Sequence, residues 1–479
     1  MRIQMKRKPL SAALLLCGSL ITQSLTPANA AGPEGASGWS RFRGPNGSGV
    51  ATDASQLPAE FNAKKNVQWR AELPGPGSSS PIVVGEKIFV TCWSGYGLER
   101  DQVGDISNLQ LHLICLDRQT GKQLWKADVK AYSPEEEYRG MFAEHGYASH
   151  TPISDGDAVY AFFGKAGVFA FDMNGKQLWH KDVGHGRDPR GWGSASSPIL
   201  YKDCLIITAA AESESLYGLD KKTGEQIWKQ EAPAISGTWG TPLLVKVDDM
   251  RTDLVLGVPG EVWGLSPETG KLRWFSAVGE DNSYCSSVIA GGDTVYSIEG
   301  RAGGAFAIRA GGKDDVSESH KVWTGRGTNR ISTPVVADNL IYFFSNKIAN
   351  CIDAQTGKEV YQERLKAPAG AAVEQPAPGG PGGGFGGGGG AGGGRGGRGG
   401  GMGGQDYSSP VIGDGKIFFV SRRGDIYVIK LGKKFEQLAV NRVTDGVEDF
   451  SASPAIAGNQ LLIRSSKALY SITEKTKAE

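Results

Sequence analysis

No two of the six cysteines in this 479-residue chain are adjacent, and none are spaced C-x-x-C. A C-x-x-C-H haem attachment site is therefore excluded. Beyond residue 30 five remain, Cys92, Cys115, Cys204, Cys285 and Cys351, an odd and scattered set that argues against a disulfide framework. Their apolar, strand-like contexts predict buried free thiols, although Cys92 and Cys115 could bridge neighbouring strands. Charge of one sign is missing too: 52 Lys+Arg stand against 51 Asp+Glu. With no basic excess there is no footprint for nucleic acid or an anionic membrane. No apolar run approaches the ~20 residues of a spanning helix, so no transmembrane segment is expected. No Gly-x-Ser-x-Gly elbow or Ser-His-Asp pattern marks a nucleophile. His145, His150, His180 and His185 lack tight ligand spacing and read as loop histidines rather than a zinc site, so no metal ligands are assigned.

Glycine, by contrast, is abundant at 70 residues. Residues 379–404 hold 20 of them, which leaves 70 − 20 = 50 in the other 453 positions. The first group is a low-complexity tract, read within 367–404 as a disordered insertion whose closure costs little. The second, alongside many Val, Ile, Trp and Tyr, predicts short strands joined by tight turns. At the N-terminus Arg2, Lys6, Arg7 and Lys8 precede the apolar run Leu10–Ile21 and the small-residue site Ala28-Asn29-Ala30. That is the layout of a signal peptide over residues 1–30, predicting export to the periplasm or cell envelope.

A small residue plus proline followed by an apolar strand recurs along the chain. The copies begin at Ser80, Thr151, Ser197, Thr241, Thr333, Ser409 and Ser453, and Ser287 heads one that has lost its proline. The eight anchors are 71, 46, 44, 46, 46, 76 and 44 residues apart, the long gaps holding insertions near 131–147 and at 367–404. Each unit continues through two more strands into a turn and an aromatic residue, as in Asp117-Arg118-Gln119-Thr120-Gly121-Lys122-Gln123-Leu124-Trp125. Asp bonds the turn backbone, Gly takes positive φ, and the ring offers a flat face for packing between units. Trp69, Trp125, Trp179, Trp228, Trp274, Trp323 and Tyr361 are assigned this docking role. Four short strands per ~45 residues, eight times over, predict an all-β chain: an eight-bladed β-propeller of four-stranded antiparallel blades. Trp69 precedes the first anchor and the last unit lacks its Trp strand, so the N-terminal strand is expected to close the ring. Residues 31–65 then read as an N-terminal extension and 66–479 as the propeller, with the glycine-rich insertion between blades 6 and 7.

The Asp-x-x-Thr-Gly-Lys-x-x-Trp repeats resemble the pyrroloquinoline quinone (PQQ) type propeller family over residues ~66–473. The resemblance implies one of two activities. One branch is the non-catalytic propeller of the outer-membrane protein assembly machine, which implies an envelope protein partner, a monomeric scaffold and no cofactor. The other is the periplasmic quinoprotein dehydrogenases of alcohols and sugars, which implies PQQ and Ca²⁺. This chain has no adjacent cysteine pair of the kind that branch carries, which favours the non-catalytic reading.

Loops that enter the innermost strands gather around the channel of a propeller. Here they carry Tyr147 and His150, Arg190 and Trp192, Trp239, Asn282 and Tyr284, Asn329 and Arg330, Asp406 and Tyr407, and Asp449 and Phe450. Aromatics with a few convergent polar groups suit a planar cofactor, a sugar or a peptide. Packing of the same rings between blades is the alternative. Asn282, Asp406 and Asp449 have the oxygen donors that Ca²⁺ or a catalytic base would need.

Overall fold

The computed structural model describes residues 38–299, 304–327, 329, 331–367 and 405–474. The signal-peptide reading, nearly all of the glycine-rich insertion and Arg330 lie outside them.

Eight antiparallel sheets follow one another around a ring. Blade 1 shows the pattern from channel to rim: Ile82–Val84, Lys87–Ser94, Gln110–Asp117 and Gln123–Lys130. The alternation of each strand sends one apolar row toward each neighbouring blade, so the cores lie between blades. One such core joins Ile82, Phe89 and Leu113 of blade 1 to Val159, Ala161 and Phe171 of blade 2. Blade 8 consists of Ala455–Ala457, Gln460–Arg464 and Ala468–Ile472, and the N-terminal strand Val67–Glu72 pairs antiparallel with its third strand. Two blades have a fifth strand. Val50–Ala51 runs parallel to the inner strand of blade 7, and Asp314–Asp315 runs parallel to the outer strand of blade 4. The α-helix among the described residues is a single four-residue turn, Ala210–Ser213, beside a few three-residue 3-10 turns, and no described helix is long and apolar enough to cross a membrane.

The Trp motif works across blade boundaries. A β-bulge in each Trp-bearing outer strand, seen at Gln177/Trp179, leaves the residue before Trp outside. Leu124, Leu178 and Ile227 are exposed for this reason, while Trp179 and Trp228 are buried. Trp69 of blade 8 lies on the blade 1 turn, where its Nε1 donates to Arg118 O at 3.0 Å. Asp117 fixes that turn by accepting from the Thr120 amide at 2.8 Å and its hydroxyl at 2.6 Å. Gly121 sits there at φ +71°, and a Cβ on it would fall 2.5 Å from the Trp69 ring. The same contact recurs between Trp125 and Gly175, Trp179 and Gly224, Trp228 and Gly270, and Trp323 and Gly357. Trp274 departs from it: its Nε1 donates to Asp253 of its own blade at 2.7 Å, because blade 5 lacks the turn. Tyr361 meets Phe435 instead, with ring centroids 5.7 Å apart. Gly121→Ala adds backbone strain to the clash, and we expect a loss of about 2–4 kcal/mol in denaturant unfolding. A loss below ~1 kcal/mol would mean that the turn yields freely.

Cys92 and Cys115 are not bridged to each other, and Cys204 and Cys351 are free thiols as well. Burial pushes the thiols of Cys92, Cys115, Cys204 and Cys351 up to about 12, so they stay protonated. Cys285 is half-buried.

Candidate binding site at the channel mouth

A closed propeller has no outer sheet edge left unpaired at its seam, but it has eight inner edges facing the channel. Their amides and carbonyls need partners. Residues 38–51, at first sight an extension, supply them from inside the channel. The Val83 amide donates to Trp39 O and the Ser154 amide to Ser40 O, at 2.8 and 3.0 Å. Ile412 N donates to Gly49 O at 2.7 Å. Asn46 pairs with the Leu244 backbone in both directions, at 2.7 and 3.3 Å. The carbonyls of Thr333 and Pro334 accept from Arg43 at 2.6 and 2.7 Å, and Pro242 O accepts from Arg41 at 3.2 Å. Arg41 and Arg43 are 3% and 1% exposed and find carbonyls rather than carboxylates. Burial alone pulls their guanidinium groups down, to about 10 and about 9.

Above this plug the anchor residues form a second device. The amide of each anchor donates to the side-chain hydroxyl of the next blade's anchor, from Ser80 to Thr151 onward to Ser409 and Ser453, at 2.8–3.0 Å. Seven of the eight blade boundaries are crossed this way. At the eighth, Arg464 of blade 8 reaches Ser79 O at 2.7 Å and Thr91 O at 2.6 Å in blade 1. The Ser/Thr requirement of the repeat thus reflects a hydrogen-bonded hoop around the channel.

The hoop is the lower wall of a cavity of about 150 Å³, with Phe42 of the plug among its lining residues. The upper wall is made by the residues two positions before each anchor. On the blade 8, 1 and 2 side these are Ser451, Ser78 and Ser149. On the blade 3 to 7 side they are Ala195, Trp239, Cys285, Ile331 and Tyr407, with Trp192 alongside. The mouth is therefore split into an arc of serine hydroxyls and an apolar, aromatic arc, with Met141 and His145 completing the lining and His145 bonded to Ser149 and to Trp192 O. Its described lining contains no carboxylate and no carboxamide.

Trp192, Trp239 and Tyr407 are brought together here. The Trp192 and Trp239 centroids lie 5.0 Å apart at 36°, and Trp239 Nε1 donates to Gly193 O at 2.8 Å. Arg190 sits over Trp239 at 5.8 Å and donates to Asn282 O. Asn282 takes part through that backbone carbonyl. Tyr407 lies 5.0 Å under the Arg422 guanidinium. The other candidates are elsewhere. Tyr147 is buried in an aromatic cluster with Trp93 and Phe142, its hydroxyl donating to Glu136 O at 2.5 Å. Tyr284 is buried between blades 4 and 5, 2.6 Å from Ser297 Oγ. Asn329 is buried and bonded to Ser332. Asp449 binds Arg422 Nε at 2.6 Å and lines a separate groove, Asp406 accepts from the Arg422 amide at 2.8 Å, and Phe450 is buried beside Tyr470.

The four histidines do not converge either. His145 bridges Ser149 and Trp192 O, and His150 meets Ser194 at 3.1 Å. His180 meets Ala166 O, and His185 meets Lys165 O. His150 is buried rather than on a surface loop, and burial pulls its imidazole down to about 3. No group of three or more His, Cys, Asp or Glu among the described residues could hold a metal ion.

Glu299 secures the approach to the mouth in blade 5, accepting from the amides of Cys285 and Ser286 at 3.1 and 3.0 Å. Burial pushes its carboxyl up to about 8, against those hydrogen bonds. The unfolded chain releases this proton near the ordinary value of 4.5, so the folded chain binds more protons in between. This contribution is full below the unfolded value and is lost as pH rises toward 8. Unfolding free energy measured in denaturant at pH 5, 6, 7 and 8 is expected to fall, and the fall should be shallower in Glu299→Gln. An identical slope in both chains would reject Glu299 as the source.

Together the blades, hoop and plug define a closed β-propeller of the PQQ-repeat class. A family model described as "Outer membrane protein assembly factor BamB" matches residues 110–363, just over half of the chain, and the chain belongs to that family. Relatives include a polyvinylalcohol dehydrogenase of a Pseudomonas species, 24% identical over 58% of this chain and 45% of that one. A BamB of Burkholderia pseudomallei is 26% identical over 47% of this chain and 51% of the relative. The chain thus spans about half the length of the curated relatives it matches. Among solved structures, a europium-containing methanol dehydrogenase superposes with a TM-score of 0.59 at 12% identity, covering 90% of both chains. That likeness is one of fold.

Proposed function

We propose that this protein is an exported, non-catalytic binding module of the cell envelope that holds a protein partner at the channel mouth. An outer-membrane assembly component is the partner that membership of the BamB family favours. One observation carries the reading: the described mouth offers hydroxyls, a thiol, an imidazole and apolar rings, but no carboxylate or carboxamide. A quinone with Ca²⁺ would need several such oxygens and a base beside them. Asp449 and Asp406 are engaged with Arg422, outside the cavity lining. These donors do not suit a quinone–Ca²⁺ centre.

The second reading, a dye-linked dehydrogenase, is favoured by similarity to a polyvinylalcohol dehydrogenase. Equilibrium dialysis with PQQ and Ca²⁺, followed by dye reduction with an alcohol panel, separates the two. We expect neither stoichiometric binding nor turnover; both together would sink the binding-module reading. Cross-linking in envelope extract should recover a partner that is lost in the Trp192→Ala/Trp239→Ala variant.

A further inference from the structure

The two arcs of the mouth are chemically unlike, and that asymmetry narrows what enters it. The apolar arc is built around Trp239 and Trp192, and Tyr407 stands on the same side. Three serines face it across the cavity. Arg190 lies over the outer part of this arc, its side chain 28% exposed. The carboxylate facing it, Asp188, is 4.0 Å away and already accepts from the amides of Arg190 and Trp192 at 3.1 and 2.9 Å. On the Tyr407 side, Arg422 is held between Asp449 and Glu144, so its charge is met within the chain. Arg190 is thus the partly exposed cation beside the aromatic wall, paired with Asp188 only at long range.

We propose that the mouth receives one aromatic side chain, a tyrosine above all, from an extended partner segment that carries an acidic residue next to it. The ring packs against Trp239 and Trp192 as aromatic pairs do at this spacing. Its hydroxyl faces the serine arc, and the adjacent carboxylate pairs with Arg190. A basic neighbour would meet Arg190 with like charge and no carboxylate in the lining. Phe42 blocks the floor, so the segment lays its side chain into a blind socket rather than threading the channel. Aromatic anchors in desolvated pockets are the usual energetic centres of interfaces.

This inference rests on the binding-module reading, and its test is chosen to fail separately from quinone binding. Blocked tetrapeptides Gly-Asp-Tyr-Gly, Gly-Lys-Tyr-Gly and Gly-Asp-Ala-Gly are titrated calorimetrically into the mature protein. The Asp-Tyr peptide is expected to bind at least about tenfold more tightly than either control. Arg190→Gln should remove the preference for Asp over Lys and keep the preference for Tyr over Ala. Ala195→Trp, which fills the apolar arc, should abolish binding while melting stays cooperative. Should that variant fail to fold, the unaltered protein still decides: the Asp-Tyr peptide should slow the reaction of half-buried Cys285 with a maleimide, and the Asp-Ala peptide should not. Equal affinities for the three peptides, or no protection of Cys285, would overturn the proposal. A partner that is captured at the mouth despite such a result would leave the binding-module reading standing.

Discussion

A chain that begins at residue 73 is expected to lose its cooperative thermal transition. Such a chain has no Val67–Glu72, so the third strand of blade 8, Ala468–Ile472, keeps a bare edge. It also has no Trp69 to seat on the Gly121 turn of blade 1. Burial of one tryptophan is worth about 3–5 kcal/mol by truncation data, and each ladder bond about 1 kcal/mol net. Together these rival the ~5–15 kcal/mol that holds a typical domain folded. A chain that begins at residue 53 provides the contrast, since it lacks the plug but keeps the closing strand. Its inner edges become wet rather than unpaired, so it should melt cooperatively at a lower temperature. Calorimetry of the two truncations decides. A chain from residue 73 that melts like the full one would refute closure by the N-terminal strand.

Arg43→Ala is expected to cost about 3 kcal/mol, large for one side chain, because it orphans acceptors rather than merely deleting a contact. Arg43 gives Nη1 to Thr333 O and Nη2 to Pro334 O and Ser48 O. The two bonds to blade 6 are buried in the channel. Lysine places one ammonium where the planar fork serves three oxygens, so Arg43→Lys should recover only part of the loss. The midpoint of guanidinium chloride unfolding, with its slope unchanged, is the measurement. A shift worth less than ~1 kcal/mol would show that water replaces the guanidinium at little cost.

The repeat period, the eight anchors and the missing last Trp strand were sufficient to read eight blades and their closure from sequence. They could be, because each blade makes mostly local contacts and repeats its turn chemistry. Asp117, Thr120 and Gly121 act within five residues of one another, so their role is visible in a short window. The mouth was read less well. Tyr147, Tyr284 and Asn329 lie within four residues of an anchor, yet they point into the blades. Tyr284, three before its anchor, has the opposite phase of an extended chain. Tyr147 and Asn329, four before theirs, share the phase of the lining but lie outside extended strand, Tyr147 in a turn, so nearness to an anchor is not enough. Counting back two from each anchor finds Trp239 and Tyr407, and also Ser78, Ser149, Ala195, Cys285, Ile331 and Ser451, which no chemical signal had marked. Trp192, five before its anchor, reaches the mouth through the looser loop of blade 3.

Sequence alone determined the class of fold, the blade count and, except at Trp274 and Tyr361, the Trp docking pattern, since all three rest on short-range periodicity. The tertiary structure decided what fills the channel. Nothing in Arg41, Phe42, Arg43 or Asn46 by itself indicates that they will meet Pro242, Thr333 or Leu244 some two to three hundred residues away. Those contacts exist because ring closure brings eight unpaired inner edges to one axis, and their amides and carbonyls must be satisfied. Among the described residues, the segment that leads into the closing strand does so for blades 1, 2, 4, 6 and 7.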